Sequence, residues 1–231
     1  MGNKINYSLK VVQQASPLLI DLQTRFLQIK TLSEQKSVDN IAEIELLSKH
    51  ALATLDYTLF ALDAHQLSLP FTTVSAAAVA SDVAHELTPL AKAYNVDIQL
   101  DAAHALEPVF ANEAALRGSL HGLLSSLISA RPSDNKPARV IIAAQQTLPT
   151  TQRLGVYSSD IIISNLATKQ ARSLAGQTRS VAPADLHHSG VGLVATDQLL
   201  KMFNSSVKSF KHKGMQGLGF YVPLSTQLSL L

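Results

Sequence analysis

The sequence contains no cysteine and has little charge of either sign. The absence of cysteine excludes disulfide bonds, thiolate metal ligands and a cysteine nucleophile. Only 16% of the 231 residues are charged and the formal net charge is +2, which is too small to indicate nucleic-acid binding. No apolar run reaches the roughly 20 residues of a membrane span, and no secretory apolar core follows Met1. We therefore expect a cytoplasmic protein that has no membrane span and binds no nucleic acid.

Hydrophobic residues, by contrast, make up 46% of the chain, enough for one substantial core or two small ones. From Ile5 to Leu32, apolar side chains recur at mostly three- and four-residue steps, which predicts a long amphipathic helix. The polar residues 33–40 are predicted to form a turn. A second helical stripe follows, made of Ile41, Ile44, Leu47, Ala51, Leu55, Leu59 and Leu62.

Two antiparallel helices cannot bury both stripes by themselves. Pairing with an identical hairpin would form a four-helix bundle, so we expect a homodimer through the N-terminal helices. The alternative is a monomeric hairpin that packs on the following domain. We assign residues 1–66 to the hairpin and 67–231 to the second domain, with a linker near His65 to Thr73, where Pro70 interrupts the helical pattern.

The second domain shows helical and strand patterns in alternation, which predicts an α+β fold. A helical stripe from Val79 to Ala91 precedes an alternating strand at 96–101, and residues 112–128 form another helical pattern. Two strands are predicted at Ala138–Ala144 and Ser159–Ser164, joined by a polar connection that contains proline. A helix after Gly190 and Gly192 and a hairpin from Val207 to Leu224 complete the domain.

Several segments resemble histidine kinases over most of the chain. Residues 189–193 (Ser-Gly-Val-Gly-Leu) and 217–224 resemble the end of the family's ATP-binding domain, and residues 112–128 resemble its Asp-Glu-x-x-Leu-x-x-x-Leu-x-Asn-Leu-Leu-x-Asn-Ala-Ile segment. The resemblance implies a dimerisation and phosphotransfer hairpin followed by a Bergerat-type (GHKL) α/β sandwich, with a mixed sheet and helices on one face. It also implies that the Gly190–Gly192 pair lies where backbone approaches a triphosphate.

Most residues that carry the family's chemistry are replaced in this chain. Gly122 and Ser126 stand at the two asparagines, the second of which binds magnesium in active members. Asn165 is predicted to follow the second strand, where the family has Asp-x-Gly-x-Gly. The resemblance thus implies a vestigial nucleotide site at Ser126, Asn165, Gly190 and Gly192. We expect no cofactor, and ATP with magnesium only if this degenerate site still binds them.

Histidines in two places are candidate phosphoacceptors. The hairpin's Ser16-Pro17-Leu18 resembles the family's Thr-Pro-Leu, but Val12 stands at the histidine position. His85 begins His-Glu-Leu-Thr-Pro-Leu, in which proline follows at four residues instead of five, a rotation of about 100° on a helix. His50 on the second helix is the other candidate. His187 and His188 lack a third ligand at identifiable spacing, so no metal site is expected.

Three functions are consistent with this pattern. The first is a catalytically degenerate pseudokinase dimer that serves as an interaction platform in two-component-type signalling, for instance for a response-regulator receiver domain. The second is a histidine phosphotransferase or an active ATP-binding histidine kinase that uses His85 or His50. The third is a binding module whose pocket, around Ser126, Asn165 and the glycine pair, takes another small ligand.

Overall fold

The computed structural model describes residues 26, 29–31, 33–34, 39–63, 70–102, 106–130, 136–161 and 189–225. All described positions before residue 35 are helical, and helix α1 runs from Asp39 to Asp63. The prediction of a turn over residues 33–40 is therefore wrong at both ends. The Ser33 hydroxyl donates a hydrogen bond to the Lys30 carbonyl at 2.7 Å, a local contact that continues the helix. Most of the first predicted helix, including Val12 and residues 16–18, lies outside the described residues.

The second domain has the predicted α+β order, with additional strands. Its elements are β1 (Thr72–Val74), α2 (Ala76–Ala93), β2 (Val96–Ala102), β3 (Val109–Ala111), α3 (Glu113–Ser129), β4 (Ala138–Leu148), β5 (Thr151–Ser158), α4 (Ser189–Leu200), a 3-10 turn (Lys201–Phe203), β6 (Lys208–His212) and β7 (Met215–Pro223). The five-stranded sheet has the order β2-β4-β5-β7-β6. Because β2 and β4 are parallel and the other pairs are antiparallel, the sheet is mixed, as expected.

A small second sheet, formed by antiparallel β1 and β3, was not predicted. β1 occupies the end of the predicted linker, so residues 72–73 belong to the folded domain. Asn112 connects this sheet to α3. Its side-chain oxygen accepts a hydrogen bond from the first turn of α3, and its amide donates to the Pro70 carbonyl at 3.0 Å. The start of α3 is thereby fixed to the segment that precedes β1.

The predicted strand at Ser159–Ser164 is placed wrongly. The segment read as a polar connection is itself strand, because β4 continues to Leu148 and β5 starts at Thr151 after a two-residue turn. Gln152, Leu154 and Val156 alternate toward the interior, but the neutral Gln152 and the glycine at 155 obscure this period in the sequence. Residues 159–160 form a bend, and residues 162–164 lie outside the described part of the chain.

Every second side chain of the central strands packs against the helices in one core. Val140, Ile142, Val156 and Phe220 are at most 1% exposed and cluster with apolar residues of α2, α3 and α4. The other face of the sheet is covered near its centre by Tyr157, whose ring lies against Gly155 and Gly217. The domain therefore places α3 and α4 over the sheet, which positions the predicted nucleotide-site residues.

Helix α1 packs on this α/β domain through contacts with α2, α3 and α4. Leu47 and Ala51 of the predicted stripe are buried, whereas Ile41 and Leu59 are 61% and 48% exposed. The stripe is therefore divided between two faces, and α1 adopts the packing that the sequence analysis treated as the alternative. Among the helices that the structure describes, none combines the length and apolarity needed to span a bilayer.

Candidate functional site

Helix α3 carries the two positions at which the resembling family has asparagines. Ser126 is only 3% exposed, and among the described residues its hydroxyl finds no hydrogen-bond partner. The neighbouring Ser125 hydroxyl donates to the carbonyl of Gly122 at 3.3 Å and so remains within the helix. Ser126 is therefore a buried side chain on α3.

The acidic group at the end of β5 is Asp160, which the sequence analysis missed. Because β5 ends at Ser158, Asp160 is the first carboxylate after the strand. Its carboxylate accepts hydrogen bonds from the Arg139 N–H and the Ser159 hydroxyl, both at 3.1 Å. The sequence analysis could have identified it only by predicting correctly where β5 ends. Asn165 lies outside the described residues, so its assignment stays a prediction.

The sequence that follows Asp160 still departs from the family pattern. In an Asp-x-Gly-x-Gly alignment that starts at Asp160, positions 162 and 164 are isoleucine and serine. The carboxylate is thus present at the strand end while both glycines are absent. Asp160 is therefore an alternative to Asn165 at the acid position, and in both alignments the glycine positions are replaced.

The glycine pair lies in the first turn of α4, because that helix begins at Ser189. This agrees with the prediction that the pair opens a helix. Further along α4, the Thr196 hydroxyl donates to the Ser119 carbonyl of α3 at 3.3 Å, and the Asp197 carboxylate accepts from the Val207 N–H at 3.2 Å. The first of these bonds holds α4 against α3, and the second holds it to the segment that precedes β6. The structure thus brings together the helices that carry Ser126, Gly190 and Gly192.

The two candidate phosphoacceptors have opposite environments. His85 lies on α2 and is exposed. α2 runs through Pro89, which has no N–H to donate to the carbonyl of His85 four residues earlier. His50 lies on α1 and is only 5% exposed, with its ring centroid 5.6 Å from that of His121. Of the two, only His85 presents an imidazole to solvent.

Tyr57 of α1 packs against the α/β domain through its ring. Its ring lies over Gly118 of α3, where an added Cβ would be 2.8 Å from the Tyr57 ring and 2.9 Å from a methyl of Leu199. The ring also lies 4.7 Å from that of His121. Burial raises the pKa of Tyr57 to about 12, and the negative charge of Glu86 adds to this effect. We call this contact region, formed by Tyr57, His50, Gly118 and His121, the α1 seam.

A cavity of about 520 Å³ lies beside the α1 seam. Its walls combine apolar side chains with two buried imidazoles, His50 and His121. Its charged lining residues are Glu45, Lys49 and Glu86. The Lys49 ammonium lies 2.5 Å from Glu45, and Glu86 lies 3.6 Å from the guanidinium of Arg117, which also pairs with Asp82 at 2.7 Å. The sequence analysis did not foresee this cavity, because it joins residues of three helices.

A second polar cluster connects β2 with the β6–β7 hairpin. His212 lies 2.7 Å from Asp101, which also pairs with Lys213 at 2.6 Å. Arg153 donates to the Gln145 side-chain oxygen, so the Gln145 amide donates to His212 Nδ1 and His212 donates from Nε2 to Asp101. Lys213 and then His212 hold the pKa of Asp101 below its usual value. The cluster joins the two edges of the sheet and lies away from α3 and α4.

Within the part of the chain that the structure describes, no three metal-ligating side chains are close enough together to hold an ion. His187 and His188 lie outside that part, as does the segment 168–188 that the resemblance would place as a lid. The described residues thus contain some positions of the predicted nucleotide site, together with the α1 seam and a cavity.

Solved structures of histidine kinases share this architecture. The catalytic domain of histidine kinase ThkA matches with a TM-score of 0.53 and 14% identity, over 68% of this chain and 97% of that one. The fold is that of a histidine-kinase catalytic domain. Histidine kinase AdeS of Acinetobacter baumannii matches over 91% of this chain and 95% of its own, with a TM-score of 0.53 and 15% identity.

Full-length ShkA, in complex with AMPPNP, matches with a TM-score of 0.58 and 14% identity. That match covers 94% of this chain and 46% of ShkA. No protein-family model matches the sequence, and no curated protein does either. At these identities the histidine-kinase-like likeness concerns the fold alone.

Proposed function

We propose that this protein is a catalytically degenerate histidine-kinase-like protein, a pseudokinase, that acts as an interaction platform in two-component-type signalling. The observation that carries the proposal is the buried Ser126 hydroxyl at the position of the family's magnesium-binding asparagine. A short buried hydroxyl cannot replace an amide oxygen that reaches a hydrated ion. The residues at 162 and 164 add to this, because their side chains occupy positions that the family keeps as glycine.

The retained Asp160 limits how far the degeneration extends. A carboxylate at the end of β5 would still accept a hydrogen bond from an adenine amino group. We therefore propose that any residual nucleotide binding is independent of magnesium. Binding without the bridging ion leaves the triphosphate charge uncompensated and does not support phosphoryl transfer.

Calorimetric titration with ATP, with and without magnesium, tests this proposal. The expected result is either no heat at millimolar ATP or weak binding that magnesium does not strengthen and that Asp160→Ala removes. Asp82→Ala is the matched control, because Asp82 is an exposed carboxylate on α2 that pairs with Arg117. Magnesium-dependent binding in the micromolar range would refute the proposal.

We propose in addition that the chain forms a homodimer through the outer face of α1. Ile41, Leu52 and Leu59 are separated by 11 and 7 residues, so they share one face of the helix, and each is at least 48% exposed. An apolar row of this kind suits a helical bundle with a second copy. The docking surface for a receiver domain would then be the remaining polar surface of the helices.

Sedimentation equilibrium on the intact protein tests the dimer. Leu52→Glu combined with Leu59→Glu should shift the protein to monomer, whereas Glu43→Gln, an exposed change on another face of α1, should not. A wild-type protein that is monomeric at high micromolar concentration would rule out this interface.

The exposure of His85 supports a second candidate function, that of a histidine phosphotransferase or an active kinase. Its imidazole is accessible and is followed directly by a carboxylate, Glu86. If this function is correct, incubation with a phosphorylated receiver domain or with ATP will give an acid-labile label that His85→Gln removes and His50→Gln retains. An unlabelled wild-type protein would eliminate this candidate.

A further inference from the structure

Strands β5, β7 and β6, which are neighbours in the sheet, carry basic and aromatic side chains on the face opposite the helices. Together the three strands contain three lysine or arginine residues and no aspartate or glutamate. In the strand register Arg153 is opposite Tyr221, and Lys208 and Phe210 are opposite glycines of β7. Because side chains alternate along a strand, these four share the face of the sheet that carries Tyr157. We call Arg153, Lys208, Phe210 and Tyr221 the basic patch.

Each cation of the basic patch lies over an aromatic ring. Arg153 Cζ is 5.0 Å from the centre of the Phe210 ring, and Lys208 Nζ is 5.5 Å from the centre of the Tyr221 ring. The two rings meet edge to face, with their centres 5.4 Å apart. Cation–π contacts of this kind hold the two positive charges at defined positions on the sheet.

Neither cation has a carboxylate partner within the described residues. Arg153 donates to the neutral Gln145 side chain at 2.6 Å, and its Nε is buried and finds no hydrogen-bond partner among the same residues. The carboxylate of Asp101, on the other edge strand, is already paired with Lys213 and His212. A half-buried guanidinium without a counter-charge is stabilised by an anionic group that binds beside it.

The separation of the two cations and the contacts of the rings indicate the kind of partner. Arg153 on β5 and Lys208 on β6 are two strand spacings apart, about 9–10 Å at the backbone. A chain with several carboxylates matches this separation better than a single small anion, because side chains on one face of an extended peptide repeat about every 7 Å. The bases of a nucleic acid would need open ring faces, whereas a cation already covers one face of each ring.

From this arrangement we propose that the basic patch is a docking surface for an acidic, extended segment of a partner protein. Carboxylates of that segment would pair with Arg153 and Lys208 and supply the missing counter-charge. The patch lies on the sheet face away from α3 and α4. The inference therefore depends neither on nucleotide binding nor on the proposed dimer through α1.

Fluorescence anisotropy on the intact protein tests this docking surface. The probe is a fluorescein-labelled peptide of roughly eight alternating glutamate and valine residues, within the usual length of a strand. It should bind saturably, and the same peptide with glutamine in place of glutamate should bind at least about tenfold more weakly. Lys208→Glu should weaken binding of the glutamate peptide by about tenfold. Lys92→Glu, an equal change of charge at an exposed position of α2, should leave the affinity unchanged.

NMR on the wild-type protein tests the location without a substitution. Amide resonances of β6 and β7 and the Nε–H resonance of Arg153 should shift with the glutamate peptide, whereas the amides of α2 should not. The proposal would be overturned by a lack of saturable binding, by equal binding of the glutamine peptide, or by equal effects of Lys208→Glu and Lys92→Glu. Tighter binding of single-stranded oligothymidylate than of the glutamate peptide would also overturn it, because that result would indicate a nucleic-acid surface.

Discussion

Gly118→Ala is the substitution that most directly tests the packing of α1 on the α/β domain. In an unobstructed helix this change stabilises a protein by about 0.8–1.0 kcal/mol, because alanine is the better helix former. At position 118 the new methyl would lie 2.8 Å from the Tyr57 ring and 2.9 Å from Leu199, closer than real Cβ contacts allow. Overpacking of this kind costs about 1–3 kcal/mol. We therefore expect Gly118→Ala to destabilise the protein by roughly 0.5–2 kcal/mol.

A double-mutant cycle with Tyr57→Ala separates the seam from the helix itself. If the clash with the Tyr57 ring is the cause, Gly118→Ala should be neutral or stabilising in the Tyr57→Ala background, with a coupling energy of about 1–2 kcal/mol. Urea denaturation followed by circular dichroism measures stability, and hydrogen exchange shows whether α1 alone loses protection. Equal stabilisation by Gly118→Ala in both backgrounds would refute the described contact.

Three further predictions concern titration and backbone contact. The pKa of Tyr57 is raised to about 12. The contribution of this group to stability is therefore complete below about pH 10 and is lost as the pH rises toward 12. In denaturation measured as a function of pH, Tyr57→Phe should abolish this loss. The pKa of Asp101 is lowered by Lys213 and His212, so its contribution to stability is present above about pH 4 and is lost as the pH falls. Asp101→Asn should cost about 1 kcal/mol of stability at pH 7. It should also reduce the fall of the urea midpoint of unfolding with decreasing pH. Gly217→Ala places a methyl against the backbone of β5 and should cost about 1–3 kcal/mol in thermal unfolding. Gly214→Asn should cost less, because nothing lies within 4 Å of an added Cβ and only the φ of +82°, which asparagine tolerates better than most residues, opposes it.

The helices of the α/β domain were predictable because their signals are local. The 3.6-residue apolar period predicted both ends of α3 to within one residue and those of α2 to within three, because the predicted stripe starts at Val79 and α2 starts at Ala76. The closing hairpin was equally clear, since β6 and β7 lie within residues 207–224 as predicted. The mixed sheet then followed from the histidine-kinase resemblance, whose fold the solved structures confirm.

Strand β5 was missed because its apolar period is incomplete. Gly155 weakens the strand pattern, and Gln152 stands at a fully buried position where an apolar residue is expected. The buried Gln152 amide donates to the Glu107 carbonyl, a partner 45 residues away that no local pattern reveals. This error displaced the strand end and led the sequence analysis past Asp160. One misplaced boundary thus changed the interpretation of a candidate site residue.

Helix α1 has a buried and an exposed face, and the sequence analysis left open whether it packs on the following domain or on a second copy. The predicted stripe of α1, which includes Ile41, Leu47 and Leu59, could face either a second copy or the following domain. In the structure the inner face, with Leu47, His50 and Ala61 buried, packs on the α/β domain, while Ile41 and Leu52 remain exposed on the opposite face. Docking of α1 on the α/β domain therefore leaves these outer residues exposed for the proposed dimer. A substitution on the outer face, such as Leu52→Glu, should consequently change the oligomeric state without changing hydrogen exchange at the α1 seam, and a coupled change in both would show that the two contacts depend on one another.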